Sequence, residues 1–386
     1  MTSPTGEHLP PDIEQAVRAA AEQAAASAAD VDRGARLPAE ALKVIRDTGL
    51  LTAVAPVELG GAGLGPAALV TVAERLARGC GATAMIWAMH QAQLACLVRH
   101  HPDAPLTRRA VADRWLIASV TSERGVGGDL GSSLAGVGGG EGGSGGTRTL
   151  EKEGTTVSYG AHADAYLITA RKSADAGAGG QVAVLATRDQ TELVQTGEWD
   201  TLGMRGTCSP AFRLRASFDE SQVLPVPFGE IAARTMVPLS HLLWAGVWSG
   251  LAAEAVHRAV SYVREKARSG APALVPALAA AHAKLAGIRG QVDAAVRAAA
   301  PVLHAGQEPT LGLGIELNAL KVGVSENAVE TARLALQVCG MAGFAEPGPH
   351  SVARILRDTY SAPLMIGNGR LLAANAQSLL LAKGER

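Results

Sequence analysis

Aromatic side chains are scarce in this chain: five Trp, four Tyr and four Phe are 3% of 386 residues. Ring stacking therefore cannot dominate the core, and abundant alanine with 45 glycines points instead to helices that approach through small side chains. An excess of charge of either sign is also lacking. Thirty-five Lys and Arg against 36 Asp and Glu leave a net charge of −1, which offers no footprint for nucleic acid or an anionic membrane. The four cysteines, Cys80, Cys96, Cys208 and Cys339, lie far apart and show no metal-ligand spacing. They read as reduced thiols of a cytoplasmic protein with no metal centre. No apolar run reads as membrane-spanning, and Met1 to Asp12 is polar and proline-bearing, unlike a signal peptide. A soluble intracellular protein is expected, with two or three domains at this length.

The periodicity predicts helices over 12–30, with Asp12 available as a cap, and over 39–47, 66–78 and 82–99. The character changes at Trp115. Short β-branched runs at 116–121, 165–170, 182–187 and 212–216 read as strands. A low-complexity segment, 136–146, leads into 148–154 rather than directly into a helix, so it reads as a mobile hairpin and not a phosphate loop. Beyond Phe228 the pattern is helical again, over 238–267, 273–305 and 310–339, as in an up-and-down bundle. The expected organisation is a helical domain over 1–114, a β domain over 115–228 and a helical bundle over 229–386.

The most informative stretch runs over 335–375. Gln337 stands three residues before Gly340 and six before Gly343; Arg354, Arg357, Asp358 and Gly367-Asn-Gly follow. Read bare, these are helices separated by glycine breaks, either simple turns or places where backbone amides approach an anion. The spacing resembles the acyl-CoA dehydrogenase family, with its Q-x-x-G-G-x-G-[YF] and R-x-x-R-D blocks. Three more blocks occur in that family's order: Pro56-Val-Glu-Leu-Gly-Gly-Ala-Gly-Leu64, Ser122-Glu-Arg-Gly-Val-Gly-Gly-Asp129 and Leu202-Gly-Met-Arg-Gly-Thr-Cys-Ser209.

The resemblance implies an α+β fold: an N-terminal helical domain, a middle β-barrel or sandwich, and a C-terminal four-helix bundle. It also implies FAD shared between subunits of a homodimer or homotetramer. Ser122 would approach the flavin, with Gly127 in the same loop, while Gly128 replaces a serine. Thr156 to Ser158 would correspond to the W-I-T segment that stacks on the ring, with Ser158 keeping a hydroxyl. Lys266 takes the place of an arginine on the neighbour's pyrophosphate, and Gln337 and Gly340 face that same FAD.

The family's catalytic glutamate should fall at Ile366, which cannot accept a proton. A second lineage places its base at a position corresponding to Ser240, beside His241. His241 and His90 are therefore the candidate bases, with Glu123 and Glu254 as nearby carboxylates. Three functions follow from the resemblance. The first is dehydrogenation of an acyl thioester carried on CoA or an acyl carrier protein. The second is monooxygenation of a small molecule with reduced flavin and O2. The third is a non-catalytic partner subunit. Arg370 reads as a surface or interface arginine, or as the holder of a carboxylate or phosphate.

Overall fold

Leu242, Val247, Leu251 and Val256 are interspersed with alanines and glycines on a helix that buries nearly all of its circumference over 237–256. Such a helix belongs at the centre of a helical layer. The computed structural model, which describes residues 8–139, 146–177, 179–270 and 275–381, places it there. The N-terminal helices are α1 (Pro11–Gly34), α2 (Ala39–Asp47), α3 (Pro66–Gly79), α4 (Gly81–His100) and α5 (Pro105–Ala112). Strands β1 (Ile117–Val120), β2 (Thr147–Gly154), β3 (Ala165–Arg171), β4 (Gln181–Thr187), β5 (Thr191–Gln195) and β6 (Phe212–Asp219) follow. The C-terminal part holds α6 (Phe228–Ile231), α7 (Val237–Arg268), α8 (Pro276–Ala305), α9 (Leu311–Cys339), α10 (Met341–Phe344), α11 (Ala353–Thr359) and α12 (Asn368–Leu381).

The central helix is α7, packed against α3, α4, α8 and α9. Its close fit to α3 requires glycine: a Cβ on Gly250 would stand 2.2 Å from the Glu74 carbonyl oxygen. Buried Glu74 accepts from Arg289 of α8 at 2.6 Å and from Ser249 of α7 at 3.2 Å, which ties three helices to one carboxylate. The apolar helix Phe228–Arg268 is long enough to cross a membrane, contrary to the expectation from its sequence, but 94% of its apolar window is buried inside the protein.

The strands form two three-stranded sheets, ordered β1-β3-β4 and β2-β6-β5. On β6 the side chains of Phe212, Leu214, Ala216 and Phe218 point inward, while Arg213 and Arg215 point outward to Glu151 and Glu153. This period of two is what a sheet with one wet face requires. The predicted hairpin over 136–146 falls partly outside the described residues, whereas 148–154 is strand β2. Asp12 is not the cap of α1; Pro10 holds that position with Pro11 at N1, and Asp12 acts only as a first-turn charge.

Candidate active site

Two quoted blocks fasten the fold to itself. Asp358 of α11 accepts from the Met204 amide at 2.7 Å, and Gly203 lies so close beneath Arg357 that a Cβ would stand 2.1 Å from its carbonyl oxygen. Arg357 pairs with Asp32 of α1 and with Glu346. Burial pushes the Asp358 pKa up to about 6, against the pull of Arg354. The glycine loop 56–64 is a tight turn closed on itself: a Cβ on Gly61 would stand 2.1 Å from the Ala55 oxygen, and the Gly63 amide donates to that oxygen at 2.8 Å.

The loop after β1 is stapled at both ends. The Ser122 hydroxyl donates to the Thr156 carbonyl at 2.9 Å and accepts from the Thr156 amide at 3.2 Å, so toward a ligand it can only accept. Glu123 accepts from Ser133 Oγ at 2.6 Å and from the Ala135 and Leu134 amides, beside buried Lys152 at 3.4 Å. Burial pushes its pKa up, but the Ser133 bond and the Lys152 charge win and hold it below the usual range. Glu123 is a structural anion. Glu254 is likewise occupied, by Arg258 at 2.9 Å. A hydroxyl chain runs from Thr207 through Ser209 to buried Ser158, whose own proton is left free.

His90 is corrected from a candidate base to a fastener. Its Nε2 meets the Leu51 carbonyl at 2.7 Å and its Nδ1 accepts from the Ile117 amide at 3.0 Å, so both ring nitrogens are committed. Burial lowers its pKa to about 4. His241 on α7 is also buried, with its pKa lowered to about 4 by desolvation and then by the Lys321 charge. Its Nδ1 has no hydrogen-bond partner. Neither ring is a strong base at neutral pH.

Ile366 stands at φ 54°, partly exposed, followed by Gly367 at φ 39°. A β-branched residue in the left-handed region is strained. The turn is anchored just beyond it: Asn368 Oδ1 accepts from buried Lys321 at 2.7 Å, and its Nδ2 donates to Ser325 at 3.1 Å and Glu326 at 3.0 Å. Burial lowers the Lys321 pKa to about 8. Lys321 and Asn368 escaped the reading of the sequence; the lysine looks like any helical lysine until its neighbours are known.

Arg370, one turn further on, crosses to the β domain and donates to the Gly127 carbonyl. Gly127 and Gly128 stand at φ 60° and 77°, and a Cβ on Gly128 would meet Arg370 at 3.4 Å. Asp129 lies below its ordinary pKa through bonds from Ser132 and Gly131 and, last, the Arg370 charge. An open glycine backbone beside a guanidinium fits a phosphate group. Lys266, Gln337 and Gly340 are exposed. A separate open cavity of about 470 Å³, between α5 and the β4–β5 turn, is lined by residues such as Arg109, Trp115 and Arg188 and none of the quoted blocks.

Residues 11–111 match acyl-CoA dehydrogenase, N-terminal domain, and residues 231–376 match acyl-CoA dehydrogenase, C-terminal domain. The chain belongs to the acyl-CoA dehydrogenase family. Within it, the chain is 28% identical over 356 residues to an L-evernosamine nitrososynthase of Micromonospora sp., covering 88% of this chain and 82% of that one. It is 24% identical over 371 residues to a cyclohex-1-ene-1-carbonyl-CoA dehydrogenase of Syntrophus aciditrophicus, covering 91% and 84%. FMN-bound TdsC from Paenibacillus sp. A11-2 shares the fold with a TM-score of 0.82 at 19% identity, over 96% of this chain and 98% of that one. The family includes flavin oxidoreductases of more than one reaction type.

Proposed function

We propose that this family member is a flavin-dependent monooxygenase acting on a nucleophilic nitrogen or sulfur of a small molecule. The observation that carries this reading is the turn at Ile366, which presents an aliphatic side chain where α-proton abstraction needs a base. Both histidines are neutral and buried, and Glu123 and Glu254 are held in ion pairs. Losing a positioned base typically costs about 100- to 10,000-fold in rate, whereas oxygen transfer to a lone pair needs no α-proton removed. Similarity to a nitrososynthase over most of both chains supports the same choice.

A reduced flavin, when bound, supplies two electrons to O2. One oxygen atom passes to the substrate and the other leaves as water with the two protons. The chain's residues have positioning tasks. Arg370 with Gly127 and Gly128 would hold the flavin phosphate, and Ser158 would donate its free proton toward the ring.

The test is a pair of mixing experiments on flavin-loaded protein. Reduced protein with O2 and an amine or thioether should give a product heavier by one oxygen atom. Oxidised protein mixed anaerobically with acyl thioesters should keep its flavin colour. Bleaching by a thioester would overturn the proposal in favour of dehydrogenation.

The flavin proposed is FAD, and the assembly a homo-oligomer of a cytoplasmic protein. Lys266 on α7 and Gln337 near the end of α9 stay exposed and available to an adenosine diphosphate half presented by a second copy. Lys266→Ala should weaken FAD binding about tenfold, as loss of one phosphate contact does, and leave FMN binding unchanged. Equal effects on both flavins, read by fluorescence titration, would rule this arrangement out.

A further inference from the structure

Helix α12 carries Arg370 to the β domain, yet packing alone does not fix it: among its residues only Leu371 is buried within one chain. Polar bonds to α9 supply the rest. Asn318 donates to Asn375 Oδ1 at 2.9 Å, and Asn375 donates to the Ile315 carbonyl at 2.9 Å. Where α12 begins, Asn368 Oδ1 accepts from Lys321 at 2.7 Å and from Ser325 at 3.3 Å. Lys321 is the odd member of this set. It is 0% exposed, and among the described residues no carboxylate stands in salt-bridge range of its Nζ; Glu326 acts on it only at longer range. Asn368 is its one hydrogen-bond acceptor among those residues, and the Trp248 ring centre lies 5.8 Å away. A buried ammonium without a close counter-ion weakens a fold. A second unfavourable feature sits two residues before Asn368, where Ile366 is held at φ 54°. Strain of this kind persists only where the surroundings impose it, and it gathers at functional turns.

We propose that Lys321 is a positioning residue for the flavin phosphate: through Asn368 it sets the start of α12 so that Arg370, two residues on, meets the Gly127–Gly128 backbone. The lysine itself does not touch the flavin. The Arg370 amide donates to the Gly367 carbonyl at 3.0 Å, so the arginine is tied to the turn that Asn368 closes. Its guanidinium reaches across to the Gly127 carbonyl. A shift of about 1 Å at the start of α12 would spoil the alignment of that planar fork with a phosphate. Methionine in place of Lys321 keeps the stem's volume and drops the bond to Asn368. No carboxylate is left facing an empty place, and exchanging a buried charge for an apolar chain is then often neutral or stabilising. Flavin affinity and stability should therefore move apart, which a merely structural lysine would not allow. This role rests on the reading of Arg370 as the holder of the flavin phosphate, and on no particular reaction.

The experiment titrates the full-length protein, freed of flavin, with FMN and with riboflavin, which differ only by the phosphate, and reads flavin fluorescence. Lys321→Met should weaken FMN about tenfold, leave riboflavin unchanged and leave the thermal midpoint no lower than that of wild type. In an Arg370→Gln background it should cost FMN nothing further, since the arginine it places is gone. Asn368→Ala breaks the same link from the other side and should reproduce the selective loss of FMN, which keeps the test decisive if Lys321→Met does not fold. FMN affinity untouched by both variants, or a further loss in the Arg370→Gln background, would each overturn the proposal. Equal weakening of FMN and riboflavin with a lowered midpoint would do so too, and would mark the lysine as structural. If Arg370→Gln itself leaves FMN unchanged, the phosphate reading of the glycine loop falls and this role with it. If Arg370→Gln weakens FMN while Lys321→Met and Asn368→Ala do not, the phosphate reading stands and only this role falls.

Discussion

Lys152→Met should lower the unfolding free energy by about 3–5 kcal/mol, the usual cost of leaving a buried charge without its partner. Lys152 is 1% exposed and Glu123 7%. The ammonium donates to Thr169 O at 2.7 Å and Oγ1 at 2.8 Å, and stands 3.4 Å from the Glu123 carboxylate. Methionine fills the stem's volume but leaves that carboxylate facing the sheet with no countercharge. Adding Glu123→Gln should return part of the loss, since both charges are then gone and the one amide oxygen can still accept from Ser133 and Leu134, while the bond from the Ala135 amide is lost. Urea unfolding of wild type, both single variants and the double closes the cycle. Additive losses would mean that the pair is not coupled. The loop held by Glu123 is the one that carries Gly127, so flavin affinity should fall with Glu123→Gln even under conditions where the fold is intact.

That pair also shows where the sequence was readable and where it was not. The helices were legible because apolar residues recur at helical spacing and small residues allow close packing; residues 39–47, for example, are α2 as expected. Strand β2 was not, because Lys152 faces inward beside Leu150 and spoils the alternation a strand displays. Strand β5 escaped because it is an edge strand with no buried residue. The R-x-x-R-D block was recognised by spacing alone, and spacing could not say that Arg357 and Asp358 hold α1 and the Met204 loop. His90 looked functional as a polar residue on an apolar helix, and the distinction from a fastener lay in Leu51 and Ile117, far away in sequence.

Acidification supplies the other large effect, and two buried histidines set its sign. His90 and His241 have pKa values lowered from 6.5 to about 4. The unfolded chain therefore binds protons that the folded one refuses, and stability that is fully present above pH 6.5 is lost as the pH falls toward 4. Each ring contributes about 3 kcal/mol to that loss. Asp358 works the other way: raised from 3.8 to about 6, it takes up a proton in the folded state first and returns about 3 kcal/mol over the same window. The histidines outnumber it, so these three groups give a net loss of about 3 kcal/mol between pH 6.5 and 4, to which His100 and His162, also lowered by burial, add in the same direction; urea midpoints at closely spaced pH values measure it. His90→Gln isolates one contribution, because the amide can donate to Leu51 O and accept from the Ile117 amide but does not titrate. It should flatten the profile by about 3 kcal/mol, whereas Asp358→Asn should steepen it. A profile left unchanged by His90→Gln would show that this ring titrates alike in the folded and unfolded chains, and would reopen its candidacy as an acid or base.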